Sequence, residues 1–415
     1  MLCNEPRLSA LMDQFALDGI IASTPENILY LSGFSSWSQN AYLYGASQVF
    51  VVHPRDPSQS PALLIPGGDV GYASLRDIWI KEIGIHGRPR KPKVSEGVDL
   101  SPEEKRYVSL LDGDSKGHNP LEALVQVVRE KGLEHSKVGI DQFGLPLGTL
   151  EKLNSLLPKA QFLPASTFFR YVRMIKTGAE IERLRNTAIL NQRAANALLK
   201  SARPGVSEGE LAGVYRAEVA RAGGGVAWLH LAAGRGGNFP PMKDRILKKG
   251  DVLRMDMGCH VQGYHADTCR AGCIGDPNEK HRKVYEAVQT GVLKAVELLR
   301  PGALPSKLFE TMIEGVRKAG IPNYSNFFVG HTLGLEAREF PYTLGPVQEL
   351  KEPFLPNTTD VPMEAGMVVN VEASQHELGW GTVSVEYSLV VTEKGYEHLI
   401  PPDQRLHSLP LETMP

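Results

Sequence analysis

The chain has 415 residues and a formal net charge of −2 at pH 7, with 42% apolar and 22% charged residues. These proportions are those of an ordinary globular protein with room for two domains, and the small net charge gives no support to a nucleic-acid or membrane partner. No apolar run reaches transmembrane length, and the amino terminus lacks a basic segment followed by a hydrophobic one, so we expect a cytoplasmic protein. Four cysteines without a Cys-x-x-Cys pair predict reduced, buried thiols.

The hydrophobic pattern changes near residue 169 and divides the chain into two predicted domains and a tail. Residues 1–168 alternate apolar strands with helical stretches, which predicts an α/β domain. Residues 169–405 contain long helices that enclose strands, which predicts an α+β domain. Residues 406–415 form a short tail, which we expect to fray or to pack on a neighbour.

In the first domain, helices are predicted at residues 7–17 and 120–131. The stretch 86–105 is rich in proline and charge, and is therefore predicted to be an exposed loop. The apolar runs predict strands at residues 19–22, 48–52, 62–65 and 137–140.

In the second domain, capping boxes at residues 177–180 and 207–210 predict the starts of two helices. Two later helices are predicted at about residues 278–299 and 305–319, because Pro-Gly or Gly signals follow each of them. Strand-like runs occur between and after these helices, so helices and strands share this domain.

Five side chains with metal-binding chemistry occur in one order along the second half of the chain. Two runs that could form a hairpin carry Asp256 and Asp267, His331 follows, and two later strand-like runs carry Glu372 and Glu386. Any one of them alone is typical of a salt-bridged acid or a hydrogen-bonded histidine. Carboxylates inside buried strands are costly unless a cation pairs with them, and four carboxylates with one imidazole can bridge two divalent ions. The set together therefore favours a dinuclear hydrolytic site.

These five residues and four further segments resemble the creatinase/prolidase/aminopeptidase P/methionine aminopeptidase family. Residues 27–34 (Asn-Ile-Leu-Tyr-Leu-Ser-Gly-Phe) are similar to the creatinase-type N-domain signature, and residues 173–181 to the start of the catalytic domain. Residues 330–336 (Gly-His-Thr-Leu-Gly-Leu-Glu) resemble the Gly-His-Gly-x-Gly-Leu motif, and residues 392–397 the closing turn. The resemblance implies an α/β N-terminal creatinase-type domain, an α+β pita-bread catalytic domain and a homodimer.

The resemblance also implies a role for each ligand. Asp256 would bind one metal ion, Asp267 and Glu386 would bridge, and His331 and Glu372 would hold the other ion. The two divalent ions, manganese first with iron, cobalt or zinc as alternatives, would activate a water molecule and polarise the scissile carbonyl. Glu372 would then pass a proton towards the leaving nitrogen.

The substrate-binding positions depart from the peptidases of this family. Three positions that carry histidine in those peptidases are here Phe239, Phe327 and Arg338. A histidine at such a position would orient a peptide carbonyl or stabilise an oxyanion. Arg338 can instead hold a substrate carboxylate through two hydrogen bonds, or form a structural salt bridge with Glu336 or Glu339.

Three further residues bear on the same site. Ser384 stands where aminopeptidase P-like members carry an arginine, and Cys269 where the family carries a threonine. Cys269 lies two residues after Asp267, so on a strand it would point to the same face and could approach the metals. His230 lies near the position of Phe239 and is either a replacement for the lost histidine or a hydrogen-bonded core residue.

Three functions follow from these patterns. The first is a dinuclear-metal-dependent hydrolase that cleaves a C–N bond, amide or peptide-type, in a small carboxylate-bearing substrate, similar to Xaa-Pro dipeptidase or aminopeptidase P but with altered substrate-binding residues. The second is a non-peptidase enzyme of the same fold: a creatinase-like or ectoine-hydrolase-like amidohydrolase, or a dimethylsulfoniopropionate-type lyase. The third, a metal-free binding module, is opposed by the retention of all five ligands. The expected partners are a small-molecule or dipeptide substrate and a second copy of the chain.

Overall fold

The computed structural model describes residues 1–42, 45–113 and 115–412. No helix among them is both long and apolar enough to cross a membrane. The chain divides into two compact units: unit 1 comprises Met1–Val172 and Glu352–Leu355, and unit 2 comprises Arg173–Lys351 and Pro356–Pro415.

Unit 1 is an α/β domain whose described strands form one mixed sheet. The strands are β1 (Gly19–Ala22), β2 (Phe50–Pro54), β3 (Ala62–Pro66), β4 (Glu82–His86), β5 (Ser115–Gly117), β6 (Lys137–Ile140) and β7 (Gln161–Pro164). Their order across the sheet is β5-β4-β3-β2-β1-β6-β7. Strand β2 is antiparallel to both of its neighbours, and the other neighbouring pairs are parallel.

The helices of unit 1 are α1 (Glu5–Gln14), α2 (Pro25–Ser32), α3 (Trp37–Ala41), α4 (Val70–Ser74), α5 (Pro102–Asp112), α6 (Pro120–Glu130), α7 (Thr149–Leu156) and α8 (Ser166–Arg173). Leu124 and Val128 lie on the apolar face of α6 and share one buried core with the sheet residues Ile21, Leu64 and Val138. Burial of this face, together with the N-cap at Asn119, explains why the predicted helix forms here.

The predicted exposed loop over residues 86–105 is wrong at both ends. His86 is buried and closes β4, where its Nε2 lies 2.8 Å from the carbonyl oxygen of Gln48. At the other end, Ser101 and Glu104 form a capping box that starts α5. The loop is therefore shorter than its composition suggests, because a buried strand and a capped helix take up its ends.

Unit 2 is an α+β domain with two four-stranded sheets among its described residues. Its helices are α9 (Gly178–Ser201), α10 (Glu208–Arg221), α11 (Glu279–Glu297) and α12 (Pro305–Lys318). Its strands are β8 (Gly225–Ala233), β9 (Val252–Val261), β10 (Tyr264–Ile274), β11 (Gly330–Thr332), β12 (Val368–Glu377), β13 (Gly381–Val391), β14 (Tyr396–His398) and β15 (Leu406–Leu409).

Each sheet of unit 2 packs against helices. One sheet has the order β15-β10-β9-β8 and contacts α9 and α10, and the other has the order β11-β12-β13-β14 and contacts α11. Helix α12 packs on α11, while β9 and β10 contact β13, so the two sheets meet along these central strands. The predicted capping boxes are confirmed, since the side chains of Thr177 and Ser207 accept from the backbone of Glu180 and Glu210.

Residues 406–409, assigned above to a tail that frays or packs on a neighbour, instead form β15. This strand pairs in parallel with β10, with Leu406 opposite Ala271 and Leu409 opposite Ile274. The sequence did not indicate this pairing because the partner strand lies more than a hundred residues earlier in the chain.

A buried ionic network holds the loop that follows β11. Glu339 is 1% exposed, and its carboxylate contacts Arg173 Nε at 3.0 Å and Lys176 Nζ at 2.8 Å. The same carboxylate accepts hydrogen bonds from the backbone N–H groups of Leu335 and Glu336. Arg173 also pairs with Glu336. These contacts fold the loop around one acidic side chain.

Replacing Glu339 by alanine is expected to destabilise unit 2 by about 3–5 kcal/mol, because Lys176 and Arg173 would lose a buried carboxylate. Urea unfolding followed by circular dichroism measures the change. The matched control is Glu310→Ala, which removes an exposed carboxylate paired with Lys307 and should cost less than about 1 kcal/mol. Equal stabilities for the two variants would contradict the assigned role of the network.

Candidate active site

The four acidic candidates lie on the central strands of the two sheets. Asp256 is on β9 and Asp267 on β10, which form the predicted antiparallel hairpin. Glu372 on β12 lies directly opposite Glu386 on β13 in the second sheet. Two carboxylates that face each other across a strand pair repel unless a cation lies between them.

His331 reaches the same place from β11. Its ring Nδ1 lies 3.0 Å from the carbonyl oxygen of Thr332, to which an N–H at that position donates. Its Nε2 lies 3.1 Å from Asp267 Oδ2 and 3.8 Å from Glu372 Oε1. With a proton on Nδ1, Nε2 is free to act as a ligand.

Gly330 permits this approach. It has φ of +143°, and a Cβ at this position would lie 1.9 Å from the carbonyl oxygen of Asn370 on β12. A side chain here would push β11 away from β12. The glycine therefore brings His331, the next residue, against Glu372.

Several carboxylate oxygens at this site are buried without a hydrogen-bond partner among the described residues. They are both oxygens of Glu386 and Oδ1 of Asp267. Burial, followed by the neighbouring acids, raises the pKa of Glu386 well above its usual range. Burial also raises the pKa of Glu372 to about 7, although His331 opposes the shift. Burial also raises the pKa of Asp267, although His331 opposes the shift. Buried oxygens without donors, converging with one imidazole, fit divalent metal ions.

Cys269 lies in the same cluster. Its Sγ and one carboxylate oxygen each from Glu372 and Glu386 all lie within 4.8 Å of one another. Burial, followed by the nearby acids, raises the pKa of this thiol well above its usual range. Without a bound cation, the side chain is therefore a neutral S–H group. This position agrees with the prediction that Cys269, two residues after Asp267, points to the same face of the strand.

Asp256 is held by two donors. Trp228 Nε1 donates to Asp256 Oδ1 at 3.0 Å, and Arg254 Nη2 donates to Oδ2 at 2.7 Å. Gly258 makes room for the tryptophan, because a Cβ there would lie 2.3 Å from the indole ring. Arg254 is itself buried, at 3% exposure.

A cavity of about 270 Å³ opens onto these groups. Asp256, Asp267, His331 and Glu372 line it, whereas Glu386 lies outside its wall. The volume is that of a small-molecule site. Its described walls also include Trp228, His230, Asn238, Arg254, Asn326, Phe327, Phe328, Arg338, Ser374 and His376.

Arg338 lies on the cavity wall with its guanidinium carbon 5.0 Å from the centre of the Phe328 ring. Glu336 and Glu339, its neighbours in sequence, pair with Arg173 and Lys176 instead. Among the described residues, no carboxylate lies within ion-pairing distance of Arg338. The structural salt bridge considered from the sequence is therefore not formed.

The other predicted substrate-binding residues have different positions. His230 lines the cavity opposite Asp256 on the neighbouring strand, and its Nδ1 is buried without a hydrogen-bond partner in the described part of the chain. Phe327 lies on the cavity wall and is 75% exposed. Phe239 is not part of the cavity wall, and its ring lies 4.7 Å from the guanidinium of Arg235.

Sequence reasoning missed Arg254, His376 and Asn238. Arg254 precedes Asp256 by two residues and His376 follows Glu372 by four, so strand alternation places each on the face of a candidate ligand. That signal was available. His376 Nδ1 lies 2.9 Å from the hydroxyl oxygen of Thr382. Asn238 precedes β9 outside any strand, and no periodicity marks it.

Comparisons with known proteins agree with this architecture. Residues 6–175 match the model of the creatinase/prolidase N-terminal domain, and residues 182–393 match that of metallopeptidase family M24. The chain is 21% identical over 393 residues to the uncharacterized peptidase YqhT of Bacillus subtilis, covering 94% of this chain and 95% of that protein. It is 27% identical over 281 residues to the Xaa-Pro dipeptidase of Pyrococcus horikoshii, covering 66% of this chain and 76% of that protein.

Solved structures share the fold over nearly the whole chain. The prolidase from Pyrococcus horikoshii has a TM-score of 0.72 at 20% identity, covering 97% of this chain and 99% of its own. The Xaa-Pro dipeptidase from Bacillus anthracis has a TM-score of 0.73 at 21% identity, covering 97% of this chain and 98% of its own. The chain therefore belongs to metallopeptidase family M24, with a creatinase-type α/β N-terminal domain followed by a pita-bread α+β catalytic domain, and is a metal-dependent hydrolase.

Proposed function

We propose that this protein is a dinuclear-metal-dependent hydrolase that cleaves the C–N bond of a small substrate carrying a carboxylate, with Xaa-Pro dipeptides as the first candidates. The observation that carries the proposal is the guanidinium of Arg338, which lines the same cavity as four of the five candidate ligands and pairs with no described carboxylate. A cation in that position favours an anionic substrate.

The ligands support two divalent ions. Four carboxylates carry a formal charge of −4, which two divalent cations neutralise, and hard oxygens with one imidazole suit manganese, iron, cobalt or zinc. We place manganese first. When bound, such ions activate a water molecule and polarise the scissile carbonyl. In this assignment Asp256 would hold one ion, His331 and Glu372 would hold the other, and Asp267 and Glu386 would contribute to both.

The remaining chemistry belongs to side chains on the cavity wall. Glu372 faces the cavity, so its carboxylate can accept a proton from the attacking water and deliver it to the leaving nitrogen. His230 lines the cavity, so its imidazole can orient the substrate carbonyl. The aromatic ring of Phe327 lines the cavity and adds apolar contact.

Arg338 supplies the specificity. A guanidinium can hold a carboxylate through two parallel hydrogen bonds, which histidine cannot do. Its stacking on Phe328 limits the movement of the side chain while leaving its N–H groups available. The cavity of about 270 Å³ limits the substrate to a small molecule of roughly dipeptide size.

The second candidate is a non-peptidase enzyme of the same fold. It is favoured by the absence of histidine at the positions of Phe239, Phe327 and Arg338. A panel of Xaa-Pro dipeptides alongside N-acyl, guanidino and sulfonio acids distinguishes the two. Turnover of Xaa-Pro dipeptides supports the first proposal, and turnover of a non-peptide acid alone supports the second. We also propose a homodimer, as expected from the family resemblance, which light scattering tests.

Replacing Asp267 by alanine is expected to abolish both metal binding and activity, because a bridging carboxylate is lost. Metal analysis and thermal unfolding measure the first effect: Mn²⁺ or Co²⁺ should raise the Tm of the wild-type protein and leave that of the variant unchanged. Asp244→Ala, at an exposed carboxylate of the same unit, is the matched control. If the Asp267→Ala variant binds metal fully and is fully active, the assignment of Asp267 as a metal ligand is wrong.

Replacing Arg338 by methionine is expected to lower kcat/KM for a dipeptide substrate by about 10-fold to 100-fold, since hydrogen bonds to charged groups contribute about 1.5–3 kcal/mol. The measurement compares each substrate with its C-terminal amide, which lacks the carboxylate. The wild type should prefer the acid, and Arg338→Met should not. Arg216→Met, on the exposed face of α10, is the control and should keep the preference. An Arg338→Met variant that still prefers the acid would contradict the assignment.

A further inference from the structure

Arg254 is a buried guanidinium on the wall of the cavity. Its side chain is 4% exposed. Burying this charge is costly unless it is paired and hydrogen-bonded. The pairing is with Asp256, through a contact of 2.7 Å between Nη2 and Oδ2. A second bond runs from Arg254 Nε to the hydroxyl oxygen of Ser384 at 3.0 Å.

The two acceptors of Arg254 lie in different sheets. Arg254 and Asp256 are both on β9, two residues apart and therefore on one face. Ser384 is on β13, two residues before Glu386, and is 1% exposed. Its hydroxyl also lies 2.8 Å from that of Ser374 on β12. The guanidinium thus donates hydrogen bonds to residues of both sheets.

Both carboxylate oxygens of Asp256 accept a hydrogen bond. Trp228 Nε1 donates to Oδ1 and Arg254 Nη2 donates to Oδ2, so the two donors fix the plane of the carboxylate. Each carboxylate oxygen has two lone-pair sites, so each retains one for another partner after accepting a single hydrogen bond. Partners of this kind orient metal ligands, and their loss typically costs 10–100-fold in metal affinity or activity.

We propose that Arg254 is a positioning residue that holds Asp256 in its ligating orientation and links it to β13 through Ser384. The serine is part of the arrangement, because a large side chain at position 384 would occupy the volume that the guanidinium fills. Because Ser384 Oγ lies 3.0 Å from Arg254 Nε, we expect a guanidinium introduced at position 384 to pair with the same carboxylate when Arg254 is made small. The inference rests on the metal site of the proposed function.

The experiment measures metal binding directly. Wild-type protein, Arg254→Met and the exchange variant Arg254→Val/Ser384→Arg are titrated with Co²⁺ by calorimetry and by visible absorption, which reports the geometry around cobalt. Arg254→Met should weaken one of two cobalt sites by 10–100-fold and change its absorption spectrum. The exchange variant should recover most of the affinity and the spectrum. Arg245→Met removes a guanidinium of unit 2 that pairs with Asp251 and should change neither.

Each outcome has a distinct meaning. Wild-type protein that binds no Co²⁺ would overturn the proposed metal site itself. Wild type that binds two ions, with Arg254→Met indistinguishable from it, would overturn only the role of Arg254. If Arg254→Met does not fold, the exchange variant decides: a folded exchange variant with wild-type cobalt binding supports the proposal, and failure to fold or to recover the strong cobalt site overturns it.

Discussion

The catalytic unit depends on placing four carboxylates in a volume where they repel one another. Glu372 and Glu386 are directly opposed across β12 and β13, and Asp256 and Asp267 come from the β9–β10 hairpin. Burial and mutual repulsion raise the pKa values of three of the four, Asp267, Glu372 and Glu386. All four acids lie on central strands, which pair with a neighbouring strand on both sides and are therefore well able to bear this cost. The same repulsion is the source of affinity for divalent cations.

In the loop after β11, the acidic side chains form internal ion pairs, whereas the neighbouring arginine lines the cavity. Residues 336–339, Glu-Ala-Arg-Glu, look in sequence like a self-neutralising surface segment. In the structure the two acids turn inward to Arg173 and Lys176, and the loop backbone donates to Glu339. Arg338, between them, is left on the cavity wall. Because Arg173 and Lys176 pair with Glu336 and Glu339, these acids do not pair with Arg338. The guanidinium of Arg338 therefore stays available on the cavity wall.

Much of the site could be predicted from the sequence, because its determinants are local. Strand alternation and capping boxes predict the strands that carry the acids and the helices that cover them, and the family resemblance implies that Asp256 would bind one ion. The start of α5 was missed because the prolines and charges around it outweighed a capping box that is local and readable. The positions of β4 and β15 were not predicted for another reason, since they depend on partners distant in sequence. The contacts of Arg254 belong to the same class. Its spacing to Asp256 is readable, but its bond to Ser384 exists only once two sheets meet.

Arg254 and Arg338 both line the cavity, yet their chemistry differs because of their neighbours. Arg254 donates hydrogen bonds to Asp256 and Ser384, and the carboxylate of Asp256 compensates its charge within the protein. Arg338 has an aromatic ring beneath it and no described carboxylate beside it. An anionic substrate gains more from a guanidinium that has not already paired, because no internal bond must break first. Under the proposed function, the substrate carboxylate is therefore expected at the Arg338 side of the cavity, with the scissile bond directed towards Glu372.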